Sequence, residues 1–350
     1  MGSYDKIADL PVAIDSYSLD LVEHEVSAGW TRCTTVVRLS GEGQEGCGED
    51  VNYSEGDQRR FQENGLDRPL AGRRSFAELS NHLDTIELGP KTPEFPGSGS
   101  YRRWAFESAA LDLALRQADS TLADALEIEA QPLRFVVSMD MSDGSNLERL
   151  RRIHREHPDM GFKLDAGDAW NDELIAELAA TNAVAVVDLK GMYEGTPVDS
   201  VADPDLYRRV AEGLPNALIE DPRLTDATRR ALAPHMDRIT WDAPIHSVED
   251  ITALDYEPRT INFKPSRFGS LRKLLDGYDH CNERGIKMYG GGQFELGLGR
   301  GQIQYLASLF HPSGSNDVAP AVYNTAEDTS ALPDSPLPPA PSATGFRWGE

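Results

Sequence analysis

The stretch "TINFKPSRFGS", residues 260–270, sets a run of strand-forming residues against a lysine that is followed at once by Pro265. Taking an ammonium group out of water is costly unless something compensates it, so a lysine seldom closes a buried strand. Lys264 therefore needs a reason to stand where it does, and its neighbours in the pattern supply one.

Lys264 ends one of eight short apolar runs: "RFVVSMD", "MGFKLD", "AVAVVDL", "ALIED", "RITWD", "TINFK", "IKMYG" and "QFEL". Between most of them lie amphipathic segments such as "NDELIAELAAT", "PDLYRRVAEGL", "SVEDITAL" and "LRKLLDGYDHCNERG". Continuous apolar strands alternating with helices argue for a parallel sheet covered by helices, and this number of them for a closed barrel. The last two runs are separated only by the glycines at 290–292, so one barrel helix is expected to be missing. The alternative, a doubly wound open sheet, lacks a GxGxxG turn opening a helix after the first strand.

The first hundred residues read differently. "TTVVRLSG" (34–41) is a β-branched strand, and "GEGQEGCGEDV" supplies the turn residues of a hairpin. Residues 54–100 are polar and rich in glycine and proline. In the following helix Phe106, Ala109, Ala110, Leu113 and Ala114 make one apolar face. The expected fold class is thus α/β: a modified TIM-type (β/α)7β barrel over residues 131–318 with an N-terminal α+β capping domain over 1–130. A proline-rich tail, 319–350, is too polar for the barrel; it either stays disordered or returns to the capping domain through Phe346 and Trp348.

With 34 basic and 58 acidic residues the chain carries a formal charge of −24. Such a chain repels nucleic acid and anionic membrane, and neither partner is expected. Hydrophobic residues make up 39%, enough for a packed core, without a membrane-length apolar run or a secretory leader. Cys33, Cys47 and Cys281 show no CxxC spacing and read as reduced thiols of a cytoplasmic protein.

In a parallel barrel the carboxyl ends of the strands converge on one mouth. The residues expected there are Lys163 and Asp165 on the second strand, Asp188 and then Lys190 on the third, and Glu220 and Asp221 on the fourth. Asp242 follows on the fifth, Lys264 on the sixth and Glu295 on the eighth. Three of the chain's seven lysines stand in this set. Asp188, Glu220 and Asp242 close three successive strands, and three carboxylates aimed at one spot repel strongly at low dielectric. A hard divalent cation relieves that repulsion, and Mg²⁺ accepts a few carboxylates plus water and substrate oxygens. Lys264 then faces the metal and whatever anion it holds, where its pKa is pushed down far enough to act as a base.

The combination "KLD…VVDLKG…LIEDP…TWDAP…NFKPSRFG…GGQFELGLGR" resembles the muconate-lactonizing (mandelate racemase/muconate lactonizing enzyme) subgroup of the enolase superfamily, over nearly the whole chain. The resemblance implies Mg²⁺, or Mn²⁺, bound by Asp188, Glu220 and Asp242, with a small carboxylate substrate on the metal. A base removes the proton next to that carboxylate, giving an enediolate. Lys264 takes the sixth-strand lysine role, Glu295 lies near the substrate carboxylate, and Arg267 belongs to the loop after the sixth strand. The resemblance also implies a homo-oligomer. One departure stands out: the family's second strand carries Lys-x-Lys, whereas here Lys163 is followed by Asp165, and both share a strand face. Lys190 stands where the family often has asparagine, and it is the candidate to replace the lost charge as substrate clamp or acid/base. No histidine occupies the seventh strand; His246 and His311 read as loop residues.

With one sixth-strand lysine and no second-strand partner, the expected reaction is that of a lyase or cycloisomerase. The alternatives are a racemase or epimerase, or a non-catalytic relative that binds metal and a carboxylate. Specificity is expected from capping-domain loops around Ser16–Trp30 and Asp50–Gly56, with Trp30 and Tyr53 touching the ligand.

Overall fold

The computed structural model describes residues 2–349 apart from 28, 29, 96, 197 and 327. After a short helix, Asp5–Ala8, the capping domain runs through β1 (Pro11–Ile14), β2 (Ser16–Ser27), β3 (Trp30–Gly41) and β4 (Gln44–Asp50), and β5 (Gly72–Ser75) pairs back on β1. Strands β2, β3 and β4 form an antiparallel meander. The expected turn at 42–43 joins β3 to β4, with Glu42 and Gly43 at φ of 51° and 75°, the left-handed pair that a two-residue hairpin turn requires.

The segment read as a capping loop, Ser16–Trp30, is instead β2 and the first residue of β3; its residues 28 and 29 lie outside the described set. Tyr17, Leu19 and Leu21 alternate with Ser18 and Asp20, a period of two that marks a half-buried strand. The polar stretch 54–100 also holds two helices, Glu55–Asn64 and Phe76–Leu83. Each starts at a serine, Ser54 or Ser75, whose side chain accepts from a backbone N–H of the first turn. The helix Ser98–Gln117 is buried along nearly its whole length. It lies directly on β4 because Gly46 and Gly48 leave room: a Cβ at either would come within 2.2 Å of a helix carbonyl.

The barrel is a seven-stranded parallel sheet of β6 (Val136–Asp140), β7 (Gly161–Asp165), β8 (Val184–Asp188), β9 (Leu218–Glu220), β10 (Ile239–Trp241), β11 (Thr260–Phe263) and β12 (Lys287–Gly290), in chain order. The eighth stave is not "QFEL". It is the two residues Asn316 and Asp317, which bridge in parallel to Phe135 on one side and Gly291 on the other. Val136 N–H donates to Asn316 O at 2.8 Å and Asp317 N–H to Gly290 O at 2.7 Å, which closes the cylinder. The helix expected to be missing is present as Gly299–Phe310, between β12 and this stave.

The backbone of 293–299 has other partners. Glu49 of β4 accepts from the N–H groups of Leu296, Gly297 and Gly299 at 2.7–3.1 Å, and Arg32 of β3 donates to the carbonyls of Gln293 and Phe294 at 2.9 and 3.2 Å. These backbone groups are committed to the cap and do not enter the barrel ladder. The tail reaches the cap: Phe346 is fully buried against Trp104, and its N–H and the Arg347 guanidinium both bond Asp112. The three cysteines are free and buried, and among the described residues no helix is long and apolar enough to cross a membrane.

Asn316 holds the closing stave in place. Its Oδ1 accepts from Gly290 N–H at 2.6 Å and lies 2.7 Å from Nδ1 of the buried His311, while its Nδ2 serves three carbonyls. Burial pulls the His311 pKa down from 6.5 to about 4. The unfolded chain therefore takes up this proton first, so the contribution is full above pH 6.5 and is lost as pH falls towards 4. In urea titrations from pH 6.5 to 4, the wild type should lose up to about 3 kcal/mol more stability than a His311→Asn variant. Parallel profiles would contradict this account of the closure.

Candidate active site

Strand pairing fixes the mouth. Asp165, Asp188 and Glu220 are direct partners across β7, β8 and β9, and Asp242 and Lys264 each follow the last residue of their strands. Asp188, Glu220 and Asp242 are at most 1% exposed, and each offers a carboxylate oxygen within 4.8 Å of the others'. All three donors are hard oxygens with no thiol or imidazole among them, a set suited to a small divalent cation.

Each carboxylate has its own amine. Lys163 Nζ is in direct contact with Glu220 Oε1 and lies 3.8 Å from both Asp188 and Asp317. Lys190 Nζ lies 2.6 Å from Asp188 Oδ2 and 3.2 Å from Asp165 Oδ1. Lys264 Nζ lies 3.0 Å from Asp242 Oδ2, and Arg267 donates to Asp242 Oδ1 at 2.7 Å. Neutral donors complete the cage. Asn262 Nδ2 (3.1 Å) and the Tyr289 hydroxyl serve Glu220 Oε2, and the Tyr193 hydroxyl donates to Asp242 at 2.9 Å while accepting from Arg267 at 3.1 Å.

The electrostatics separate the amines. Burial pulls all three ammonium groups down. For Lys163 the facing Glu220, Asp188 and Asp317 outweigh it, and for Lys190 Asp188 and Asp165 do, so both end well above the ordinary lysine value. Lys264 ends below it: burial outweighs its one close acid, Asp242, and Arg267, Lys163 and Lys190 push the same way. Asp242 is held well below the usual carboxylate range, against its burial, by Arg267 and Lys264. Asp221, with only the N–H groups of Asp242 and Ala243 as donors among the described residues, is pushed up to about 7 by burial and by Asp242 and Asp188. Asp165 rises to about 6 for the same first reason, against the pull of Lys190.

Of the residues singled out in the sequence, Lys163, Asp165, Asp188, Lys190, Glu220, Asp242, Lys264 and Arg267 converge. Glu295, Trp30 and Tyr53 form a second group at the seam with the cap. Glu295 is not on the eighth stave; it lies in the loop after β12, paired with Arg300 at 3.0 Å. Trp30 is 43% exposed and stacks on Phe294, while Tyr53 packs between the Arg32 guanidinium and Phe95. His246 is in a loop and His311 is under the closing stave, as described.

Asn262, Tyr289, Tyr193 and Asp317 escaped the sequence reading as partners of the cage, whereas Asp221, expected at the mouth, lies there beside Asp242. Asn262 was findable, since it shares a strand face with Lys264 two residues on. Tyr193, in the loop after β8, carries no local signal. Asp317 was hidden by the shortness of its stave, which two residues cannot announce as a pattern.

Comparison with known proteins bears on the family and the fold. Residues 129–325 match the family described as "Domain of unknown function (DUF8230) C-terminal domain", and residues 5–125 match its N-terminal domain. The o-succinylbenzoate synthase of Bacillus subtilis (strain 168) is 28% identical over 213 residues, 58% of this chain and 55% of that protein, so the match spans about half the length of the curated relative. Among solved structures, an enolase-superfamily member from Listeria innocua superposes with a TM-score of 0.67 at 17% identity, over 89% of this chain and 86% of the other. The muconate lactonizing enzyme of Pseudomonas putida gives 0.65 at 21% identity, over 90% of both. The chain belongs to the DUF8230 family, with its N- and C-terminal domains both present, and its fold is that of the enolase superfamily.

Proposed function

We propose that the mouth removes a proton from the carbon next to the carboxylate of a small organic acid, in a lyase or cycloisomerase reaction. The proposed cofactor is Mg²⁺ held by Asp188, Glu220 and Asp242. The observation that carries this reading is the position of Lys264: a buried amine 3.0 Å from one member of a three-carboxylate cluster, at the carboxyl end of a barrel strand. A divalent ion in that cluster would supply Lewis acidity towards a substrate carboxylate.

The chain's own groups divide the remaining work. Lys264 is the one amine of the three whose pKa is pulled below the ordinary lysine value, which makes it the proton acceptor of this scheme. Lys163 and Lys190 keep their protons and act as positive charges beside the developing anion. Arg267 and Tyr193 hold the Asp242 carboxylate in orientation. A single base favours elimination or ring closure on one face of the substrate over racemisation, which needs a donor and an acceptor on opposite faces. The likeness to an o-succinylbenzoate synthase makes formation of o-succinylbenzoate the first reaction to assay.

Purified protein with Mg²⁺ in D₂O and a panel of small carboxylic acids, followed by proton NMR, should show loss of the α-proton together with product. Chelation should abolish it, and Lys264→Met should lower the rate by roughly 10²–10⁴-fold, the usual scale of a lost general base. A Lys264→Met protein with wild-type turnover would remove the base from the scheme.

Lys163 has a second readout. Removing it leaves Glu220 buried without its counter-charge, and breaking a buried pair costs about 3–5 kcal/mol. Urea unfolding of Lys163→Met at pH 8 should show a loss of that order, largely recovered by adding Glu220→Gln. If Lys163→Met unfolds at the wild-type midpoint, the pair does not carry the charge balance assigned to it.

A further inference from the structure

Lys190 differs from the other two amines in having a second, underused carboxylate beside it. Its ammonium is hydrogen-bonded to Asp188 Oδ2 at 2.6 Å, with Asp165 Oδ1 at 3.2 Å. That Asp165 oxygen is buried and lies within ion-pair reach of Lys190 without a well-aligned hydrogen bond, which leaves it receptive to a closer approach of the ammonium. Lys190 is also the least confined of the three: its side chain is 19% exposed, against 2% for Lys163 and 9% for Lys264. Its backbone sits at φ 50°, in the left-handed region that favours glycine. There its own N–H bonds Asp188 Oδ1 at 2.9 Å, which fixes the base of the side chain while the tip has two acids in reach.

We propose that Asp165 is a receiving carboxylate for Lys190: when a divalent cation takes Asp188, the Lys190 ammonium shifts from Asp188 to Asp165, and this exchange is what opens the cluster to the metal. The inference rests on the metal reading of the acidic trio, and it assigns Asp165 a purpose that the reaction scheme does not use. Asp165 in this account is a positioning residue, acting through Lys190 and not on substrate. Without it the displaced ammonium would stay on Asp188 and compete with the cation.

The test is calorimetric titration of Mg²⁺ into the wild type, Asp165→Asn, Lys190→Met and the double variant, with thermal melts to confirm folding. Asp165→Asn should bind about tenfold more weakly, the scale of one charge-assisted hydrogen bond, and Lys190→Met at least as tightly as the wild type. In the Lys190→Met background Asp165→Asn should have no further effect, because the group it receives is gone. Equal weakening by Asp165→Asn with and without Lys190 would reduce Asp165 to a general negative charge and overturn the proposal. So would weaker binding by Lys190→Met alone, which decides the matter even if Asp165→Asn does not fold. A wild-type protein that takes up no Mg²⁺ would remove the metal reading and this inference together, whereas wild-type binding insensitive to Asp165→Asn removes only the inference.

Discussion

Three carboxylates brought within 4.8 Å of one another, buried in the barrel mouth, are the constraint around which the rest is arranged. At an effective dielectric of about 20, each pair of unit charges at such separations repels by roughly 4 kcal/mol, so the trio alone would consume much of a typical domain's stability. The fold answers with Lys163, Lys190, Lys264 and Arg267, drawn from β7, the β8 loop and the segment after β11, each placed on a particular acid. The same arrangement that makes the cluster tolerable also sorts the amines. Those facing two or more acids stay charged, and the one facing a single acid beside other cations becomes the weakest holder of its proton.

The barrel achieves this with little regular structure to spare. Its eighth stave is two residues long, and closure depends on the side chain of Asn316 as much as on backbone pairing. The segment that might have been the eighth strand is given to the capping domain, through the Glu49 carboxylate and the Arg32 guanidinium. Arg32 is 1% exposed and has no acid partner among the described contacts; five carbonyls, three from the cap and two from the barrel loop, share its charge. Cap and mouth are thus joined by buried, charge-assisted hydrogen bonds. Tyr53 stacks beneath this junction and feels the charges of Glu295 and Arg267, so the seam borders directly on the site.

Much of this was legible in the sequence because a barrel strand buried on both faces is short, apolar and ended by its functional residue. "VVDLK", "LIED", "TWD" and "NFK" each announce a stave and its acid or amine at once. Illegible features were those without local periodicity. "QFEL" has the composition of a strand but lends its backbone to another domain, and Asn316–Asp317 is a strand by position only. In the cap, β2 was hidden by its polar residues: Glu23, His24 and Glu25 mask an alternation that Tyr17, Leu19 and Leu21 carry. The exchange of a lysine for Asp165, which reads as a lost function in the sequence, becomes intelligible only when Lys190 is seen beside it.

The account stands on the trio as a cation site. Crystals of the protein soaked in Mn²⁺ and measured across the manganese absorption edge test this directly. The account predicts one strong anomalous peak between Asp188, Glu220 and Asp242, within coordinating distance of all three. No peak there, with Lys163, Lys190 and Lys264 still bonded to the three acids, would contradict it.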